Sequence, residues 1–187
     1  HHNSNLREEG TFVNDKKQGF WKIYHYNGNL QMQGNYQTDV MQGFWRQYHE
    51  NKELHSEGML SEGKPVGFWK YFYPNGEMKE CGYLKTGHEE GSWKGYYESG
   101  NPLYEGTYKN GYKEEWWKEY NASGTLTIIG QFKRGKRHGH WVFYHDNKER
   151  SLEGSYDKLG KQGVWNGYHP NGELESRGIY LNNKKSE

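Results

Sequence analysis

Residues 67–91 have the sequence GFWKYFYPNGEMKECGYLKTGHEEG, and the pattern of this stretch recurs along almost the entire chain. A tryptophan occurs every 24 residues, without insertion or deletion. This series consists of Trp21, Trp45, Trp69, Trp93, Trp117, Trp141 and Trp165. A glycine series has the same period and consists of Gly10, Gly34, Gly58, Gly82, Gly106, Gly130, Gly154 and Gly178. Such a fixed period is typical of repeat proteins, in which each unit packs on its neighbours.

The period divides the chain into a partial repeat and seven full repeats, which we number one to seven. The partial repeat covers residues 6–18, and the full repeats start at residues 19, 43, 67, 91, 115, 139 and 163. We expect one repeat domain over residues 6–184, because a stack of repeats has no globular domain boundary. The leading histidine pair is typical of a purification tag, so we interpret residues 1–5 as a tag remnant and disordered N-terminus. Residues 185–187 are interpreted as a tail.

Each repeat is predicted to form two short antiparallel strands. In residues 30–36, apolar residues and glycine alternate with polar residues, which is the period of a strand with one buried face. A polar loop over residues 37–42 then leads to a second, aromatic-rich strand over residues 43–49. The opposite turn is marked by Asn-Gly pairs such as Asn27-Gly28, since both residue types tolerate positive φ.

Aromatic side chains supply the predicted core. Trp, Tyr and Phe account for 32 of the 187 residues and the net charge is only +1, which favours a thin ordered stack over disorder. An aromatic residue follows each tryptophan of the series by three positions, and residues three apart lie on opposite faces of a regular strand. We therefore expect an all-β fold, an elongated single-layer antiparallel β-meander built from tandem 24-residue β-hairpins.

The motif G-x-W-K-x-Y-x-x-N-G-x-L-x-x-x-G-x-Y-x-x-G-K-x-x-G, which is visible in residues 67–91, resembles the MORN repeat. It is most similar to the bacterial variant found in YwqK-type antitoxin proteins, and the resemblance covers residues 6–184. For this chain it implies a meander of MORN-like hairpins and a role in protein binding, as the antitoxin or immunity partner of a toxin. It implies no catalytic residues.

Repeat five departs most from the common pattern. It begins with Glu115-Trp116 in place of glycine and a phenylalanine, so that Trp116 and Trp117 form an adjacent pair, and it ends in a basic cluster. The predicted partner-binding residues are Trp116, Trp117, Lys133, Arg134, Lys136 and Arg137. Such a cluster suits an acidic partner surface, although a solvated loop beside an exchanged aromatic residue is the alternative. Charge reversal at Arg134 and Arg137 is expected to slow association and to leave the fold intact.

Neither a metal site nor an enzyme active site is predicted. His25, His49, His145 and His169 share one phase of the repeat, but equivalent residues in adjacent repeats are two strands, or about 9.6 Å, apart. Zinc ligands must lie about 2 Å from one ion, so we expect a solvent-facing histidine ladder and no metal or other cofactor. The sequence also lacks a nucleophile elbow, a phosphate-binding loop and a zinc-protease motif, so we expect no catalytic residues.

The leading hypothesis is therefore a non-catalytic repeat protein that neutralises a partner toxin by binding it. The alternative is a carbohydrate- or cell-wall-binding module, in which adjacent aromatic residues form a cage for the ligand. Neither nucleic acid nor membrane is an expected partner, because the net charge is +1 and no apolar run is long enough to span a bilayer. The single Cys81 is compatible with a reducing compartment, which predicts a cytoplasmic protein, and is equally compatible with a removed export leader. The oligomeric state is left open.

Overall fold

A computed structural model of the chain describes residues 6–186. Residues 1–5, the predicted tag remnant, and residue 187, the last of the predicted tail, lie outside the described part. The chain divides into two compact units, His1–Glu89 and Glu90–Glu187, and each unit is described by itself.

The strands of the first unit follow one another in sequence order and pair antiparallel. They are β1 (Glu8–Val13), β2 (Lys16–Tyr24), β3 (Leu30–Gln37), β4 (Val40–Tyr48), β5 (Leu54–Ser61), β6 (Lys64–Phe72) and β7 (Met78–Lys85). The odd-numbered strands carry the glycine series and are called glycine strands; the even-numbered strands carry the tryptophan series and are called tryptophan strands.

The second unit continues the same alternation. Its strands are β8 (His88–Tyr96), β9 (Pro102–Lys109), β10 (Tyr112–Tyr120), β11 (Leu126–Lys133), β12 (Lys136–Tyr144), β13 (Arg150–Asp157), β14 (Gly160–Tyr168), β15 (Leu174–Leu181) and β16 (Lys184–Lys185). Residues 6–186 contain no helix, so the predicted all-β meander of antiparallel hairpins is confirmed within each unit. The described part of the chain accordingly offers no helix of the length and apolarity that crossing a membrane requires.

A two-residue turn connects each glycine strand to the following tryptophan strand. At Thr38-Asp39 both residues have positive φ, 53° and 66°, as in the type I′ turns whose twist matches that of a hairpin. The loop predicted over residues 37–42 is therefore wrong, since β4 already begins at Val40. The polar residues of this stretch occupy the strand ends around a tight turn.

The opposite turn lies where the Asn-Gly pairs predict it, but its geometry differs. In the first copy the N–H of His25 donates to the carbonyl of Asn29 at 2.8 Å, and the N–H of Gly28 donates to His25 at 2.9 Å. Only Gly28 has a positive φ, of 86°, and Asn27 does not, although both residue types tolerate one. Asn27 contributes its side chain instead, which accepts a hydrogen bond from the N–H of Asn29 at 2.9 Å.

Six of the buried tryptophan rings, three in each unit, lie on the bare backbone of the preceding glycine strand. A Cβ added to Gly34 would be 2.3 Å from Cδ2 of Trp45, and a Cβ on Gly130 would be 2.1 Å from Cδ2 of Trp141. No side chain tolerates such contacts, so glycine is required wherever a ring approaches the backbone in this way. The same arrangement is present at Gly10–Trp21, Gly58–Trp69, Gly106–Trp117 and Gly154–Trp165. All seven tryptophans of the series are at most 4% exposed and form the core.

Further aromatic rings separate successive tryptophans on this side of the sheet. Phe132 makes edge-to-face contacts with Trp117 at 5.9 Å and with Trp141 at 5.1 Å between ring centroids. In the first unit the buried leucines Leu60 and Leu84 occupy equivalent positions. We call the side with the buried tryptophans the Trp face, and the opposite side, which carries the aromatic residues three positions after them, the Tyr face. The predicted separation of these two aromatic series is confirmed by the strand registers.

Side chains at the outer turns join one repeat to the next. The Nε2 atoms of His25 and His145 form hydrogen bonds with the carbonyls of Tyr48 and Tyr168, at 2.9 and 2.8 Å. These histidines are half-buried connectors, so the prediction of a solvent-facing ladder is wrong for them. Within residues 6–186, no group of three or more histidine, cysteine or carboxylate side chains has an arrangement that could hold a metal ion.

The close approach of ring and backbone yields a stability prediction. We expect Gly106→Ala to lower the free energy of unfolding by about 3 kcal/mol, because the new methyl group displaces the Trp117 ring. Gly178→Ala is the matched control at the same repeat phase, where a Cβ meets the flexible end of Lys185 at 2.7 Å and Tyr180 at 3.1 Å. Urea unfolding of both variants measures the difference. Equal losses would show that the tryptophan series does not demand glycine.

Candidate protein-binding surface

The adjacent tryptophans of repeat five point to opposite sides of β10. Trp117 pairs with Gly106 and Gly130 on the Trp face and is 1% exposed. Trp116 pairs with Gln131 on the Tyr face and is 52% exposed. Trp117 therefore belongs to the core, which corrects its place among the predicted partner-binding residues, whereas Trp116 is available to a partner.

Two of the predicted lysines share the Tyr face with Trp116. Lys133 and Lys136 are a register pair on either side of the turn between β11 and β12, and both are exposed. Because Lys133 lies two positions from Gln131 in a strand, it projects from the same face as Trp116. The structure thus brings Trp116, Lys133 and Lys136 onto one surface.

Arg134 lies at the tip of that turn. It is exposed and has a φ of 49°, and its N–H donates to a carboxylate oxygen of Glu114 at 2.6 Å. Equivalent bonds from strand to turn recur, for example from the N–H of Thr38 to Gln18 at 3.0 Å. The backbone at Arg134 is therefore held by a repeated structural contact, while its side chain extends from the exposed turn.

Arg137 occupies the opposite face from the two lysines. It pairs with Phe132 on the Trp face, its guanidinium carbon lies 4.5 Å from the centroid of Trp141, and its Nη1 donates to the hydroxyl of Tyr156 at 3.2 Å. Lys113 and Lys161 stand at the same repeat phase, 4.0 and 4.2 Å from Trp117 and Trp165. The side chain of Arg137 therefore covers the core through a cation–π contact. Because of this contact we expect charge reversal at Arg137 to lower stability, unlike charge reversal at Arg134.

A groove of about 570 Å³ lies between the turns of repeats five and six. Its lining residues are Lys133, Arg134, Lys136, Arg137, His138, Asp157 and Lys158. Five cationic side chains thus face one carboxylate, whose oxygen is already the acceptor for the N–H of Leu159 at 2.7 Å. This charge balance suits an acidic group on a partner protein.

Sequence reasoning missed Tyr112, which is 59% exposed and lines a neighbouring groove with Lys133 and Arg134. Its ring lies within 3.4 Å of the position that a Cβ would take on Gly135, so the turn glycine leaves room for it. The sequence gives only a weak indication that Tyr112 belongs to the surface. The equivalent residue is lysine, valine, histidine or glycine in the other repeats, as at Lys64, Val40, His88 and Gly160.

Glu115 is the second unexpected feature of repeat five. In the other six repeats the equivalent residue is glycine with φ between 64° and 79°, whereas Glu115 holds a φ of 59°. Left-handed backbone at a residue with a side chain costs about 1 kcal/mol or more. Glu115 precedes the exposed Trp116, so the strain is stored beside the candidate surface.

An exposed apolar row on the Tyr face of the first unit was also missed. The residue before each tryptophan of repeats one to three is phenylalanine, and apolar residues pair with two of these phenylalanines across the sheet. We call this row the apolar stripe; it consists of Phe20, Phe44, Met59, Phe68 and Tyr83, which are 42–55% exposed. The repeated phenylalanine could have indicated the stripe.

A row of charged residues runs along the middle of the Tyr face. Lys118 donates to Glu105 at 2.7 Å and Tyr120 donates to it at 3.0 Å, and the bond from Lys118 holds the pKa of Glu105 below its ordinary value. Burial and the bond to Glu105 raise the pKa of Tyr120. These groups therefore pair with each other across neighbouring strands of the Tyr face.

Four segments of the chain match the family model of the MORN repeat variant: residues 17–38, 66–85, 89–110 and 161–182. The chain is thus similar to repeat-based binding modules over each of these segments. The residues of the repeat-five surface lie between the third and fourth segments, where the chain departs from the common pattern. No curated protein matches the chain significantly.

The strain at Glu115 predicts that this residue is not optimal for stability. We expect Glu115→Gly to raise the free energy of unfolding by about 1 kcal/mol, because glycine adopts positive φ without steric cost. Glu114→Gly is the neighbouring control and should lower stability, since it removes the acceptor for the N–H of Arg134. Chemical denaturation of both variants checks the signs, and a destabilised Glu115→Gly protein would contradict the assignment of strain.

The two arginines of the predicted cluster should respond differently to charge reversal. Arg137→Glu is expected to cost about 1–2 kcal/mol, because it replaces a cation over the Trp141 ring by an anion. Arg134→Glu should change stability by less than about 0.5 kcal/mol, since its side chain extends from an exposed turn. Thermal unfolding at low and moderate salt compares them. Equal effects would show that the contact between Arg137 and the Trp141 ring does not contribute to stability.

Proposed function

We propose that this chain is a non-catalytic protein-binding module that docks an acidic protein partner on the Tyr face of repeat five. The observation that carries the proposal is the exposed Trp116 beside Lys133 and Lys136 on a rigid sheet. Exposed tryptophan bordered by cations is typical of binding hot spots, where the ring is desolvated by the partner and the charges steer encounter.

The rigidity of the sheet supports tight binding. The backbone around Trp116 is anchored by the buried Trp117, whose Nε1 donates to the carbonyl of Thr107 at 3.1 Å. A pre-ordered surface loses little conformational entropy on association, so more of the contact energy remains as affinity. The groove beside Arg134 offers a place for a partner carboxylate.

We propose further that the partner is a toxin and that the chain acts as its antitoxin or immunity protein. The support is the similarity of its repeats to MORN repeat variants together with a surface that can obstruct a partner. Inhibition then follows from steric occupation of the toxin and requires no reactive group in this chain. Neither nucleic acid nor membrane takes part in this proposal, and a cytoplasmic location is proposed with it.

The carbohydrate-binding alternative is disfavoured by one specific observation. A cage for a sugar or a quaternary amine needs aromatic rings that converge on one ligand. Trp116 and Trp117 lie on opposite faces of β10, so this adjacent pair cannot enclose a ligand.

The proposal is tested with the protein encoded by the gene next to the one that encodes this chain, taken as the candidate toxin. The wild-type chain should restore the growth of cells that express this product, at a stoichiometric ratio. Trp116→Ala should raise the dissociation rate by about 30-fold, which corresponds to about 2 kcal/mol for a desolvated aromatic anchor. Lys133→Glu combined with Lys136→Glu should mainly slow association.

Val164→Ala is the matched control, because Val164 stands at the same repeat phase as Trp116 and is exposed in repeat seven. Its binding kinetics should equal those of the wild type. Unchanged kinetics for the Trp116 and lysine variants would place the interface elsewhere. Rescue at a sub-stoichiometric ratio would contradict the non-catalytic mechanism.

A further inference from the structure

The apolar stripe of the first unit is a second surface, separate in sequence and composition from repeat five. Its side chains are ordered by contacts with each other and with the sheet. The rings of Phe68 and Tyr83 meet edge to face at 5.1 Å, and the guanidinium of Arg46 lies 5.3 Å from the centroid of Phe44. About half of each side chain nevertheless faces solvent.

The fold does not require apolar residues at these positions. Five of the eight equivalent residues of the second unit are polar, namely Ser92, Thr107, Gln131, His140 and Ser155. The other three are Trp116, Val164 and Ile179. A sheet built on the same tryptophans and glycines therefore tolerates serine where the first unit has phenylalanine. Exposed apolar residues that the core does not need are typical of interaction sites.

Positive charge borders the stripe along the two-residue turns. Lys16, Lys64 and Lys85 occupy the strand ends of the Tyr face on this side and are exposed. Among the ion pairs of the described residues, none involves these three lysines. On the other border the cations are partly neutralised, because Glu57 pairs with Arg46 at 3.2 Å and with Lys70 at 3.5 Å.

The carboxylates nearest this border lie at the turn tips, beyond the lysines. Asp39 is one of them, and it accepts a hydrogen bond from the backbone N–H of Lys17 at 2.7 Å. The lysines therefore remain the charges that flank the stripe directly. They complement acidic groups on whatever covers it.

The spacing of the stripe selects the shape of its occupant. Phe20, Phe44 and Phe68 stand two strands apart, which is about 9.6 Å at the usual strand spacing. A helix repeats its apolar seam every seven residues, or about 10.5 Å, close to this distance. An extended strand presents the same face about every 6.7 Å, so its side chains fall out of step with the phenylalanines.

We propose that the apolar stripe docks an amphipathic helix of a partner protein whose apolar seam is flanked by acidic residues. The seam lies along Phe20, Phe44 and Phe68, with Met59 and Tyr83 filling the spaces between them. The acidic flank of the helix faces Lys16, Lys64 and Lys85. This surface does not include Trp116, so its test is independent of the repeat-five proposal.

A synthetic helix probes the chemistry directly in the full chain. The probe is a fluorescent peptide of about three heptads with leucine at the seam positions and glutamate along one flank. Control peptides carry lysine in place of glutamate, or the same residues in scrambled order. We expect the glutamate peptide to bind at least about tenfold more tightly than either control, since both the seam and the charge contribute.

Two double variants locate the site. Phe44→Ser with Phe68→Ser should weaken binding at least about tenfold, and serine is compatible with the fold because Ser92 occupies this position in repeat four. Lys64→Glu with Lys85→Glu should reverse the preference, so that the lysine peptide binds better than the glutamate peptide. Trp116→Ser is the control and should leave peptide binding unchanged.

Several outcomes would overturn the proposal. They are no binding of the glutamate peptide, equal affinity for the scrambled peptide, or loss of binding only in Trp116→Ser. Sedimentation of the wild-type chain as a dimer that Phe44→Ser with Phe68→Ser converts to monomer would identify a second copy as the occupant, and would overturn it as well. Circular dichroism and thermal unfolding of each variant establish that its sheet is retained.

Discussion

The contact between a tryptophan ring and a bare glycine backbone is the constraint on which this structure depends. The ring of Trp141 lies where any side chain on Gly130 would stand, and the same contact recurs in both units. It allows a sheet without a second covering layer to bury its largest side chains almost completely. The indole N–H finds its acceptors in the same place, since Trp141 donates to the carbonyls of Gln131 and His138 at 3.1 and 3.2 Å.

This arrangement gives the two faces of each unit different roles. The Trp face holds the core, and its cations such as Arg137 serve mainly to cover rings. The Tyr face is free to vary, because its side chains are not needed for the tryptophan–glycine contact. The two candidate surfaces, Trp116 with its lysines and the apolar stripe, both lie on that free face. The candidate surfaces are therefore separated from the stabilising core by the alternation of side chains along a strand.

The repeat period made the fold predictable, because a tryptophan and a glycine in strict register can be explained only by identical units. The opposite faces of Trp117 and the aromatic residue three positions later also followed from strand geometry alone. The geometry of the turns was harder to predict from the sequence. Thr38-Asp39 has no glycine to indicate a type I′ turn, and Asn27 contributes a side-chain acceptor and has no positive φ.

The candidate site was only partly predictable, because the sequence does not show which face of the sheet each residue occupies. Composition indicated the basic cluster, but the cluster mixes Lys133 and Lys136 of one face with Arg137 of the other, and only the register of β11 and β12 separates them. The adjacent tryptophans likewise combine one surface residue with one core residue.

A double-mutant cycle between Gly130→Ala and Trp141→Leu tests the contact between the tryptophan ring and the glycine backbone most directly. The account predicts that Gly130→Ala costs at least about 2 kcal/mol less in the Trp141→Leu background than in the wild type, because the smaller side chain leaves room for the methyl group. An equal cost in both backgrounds would contradict it.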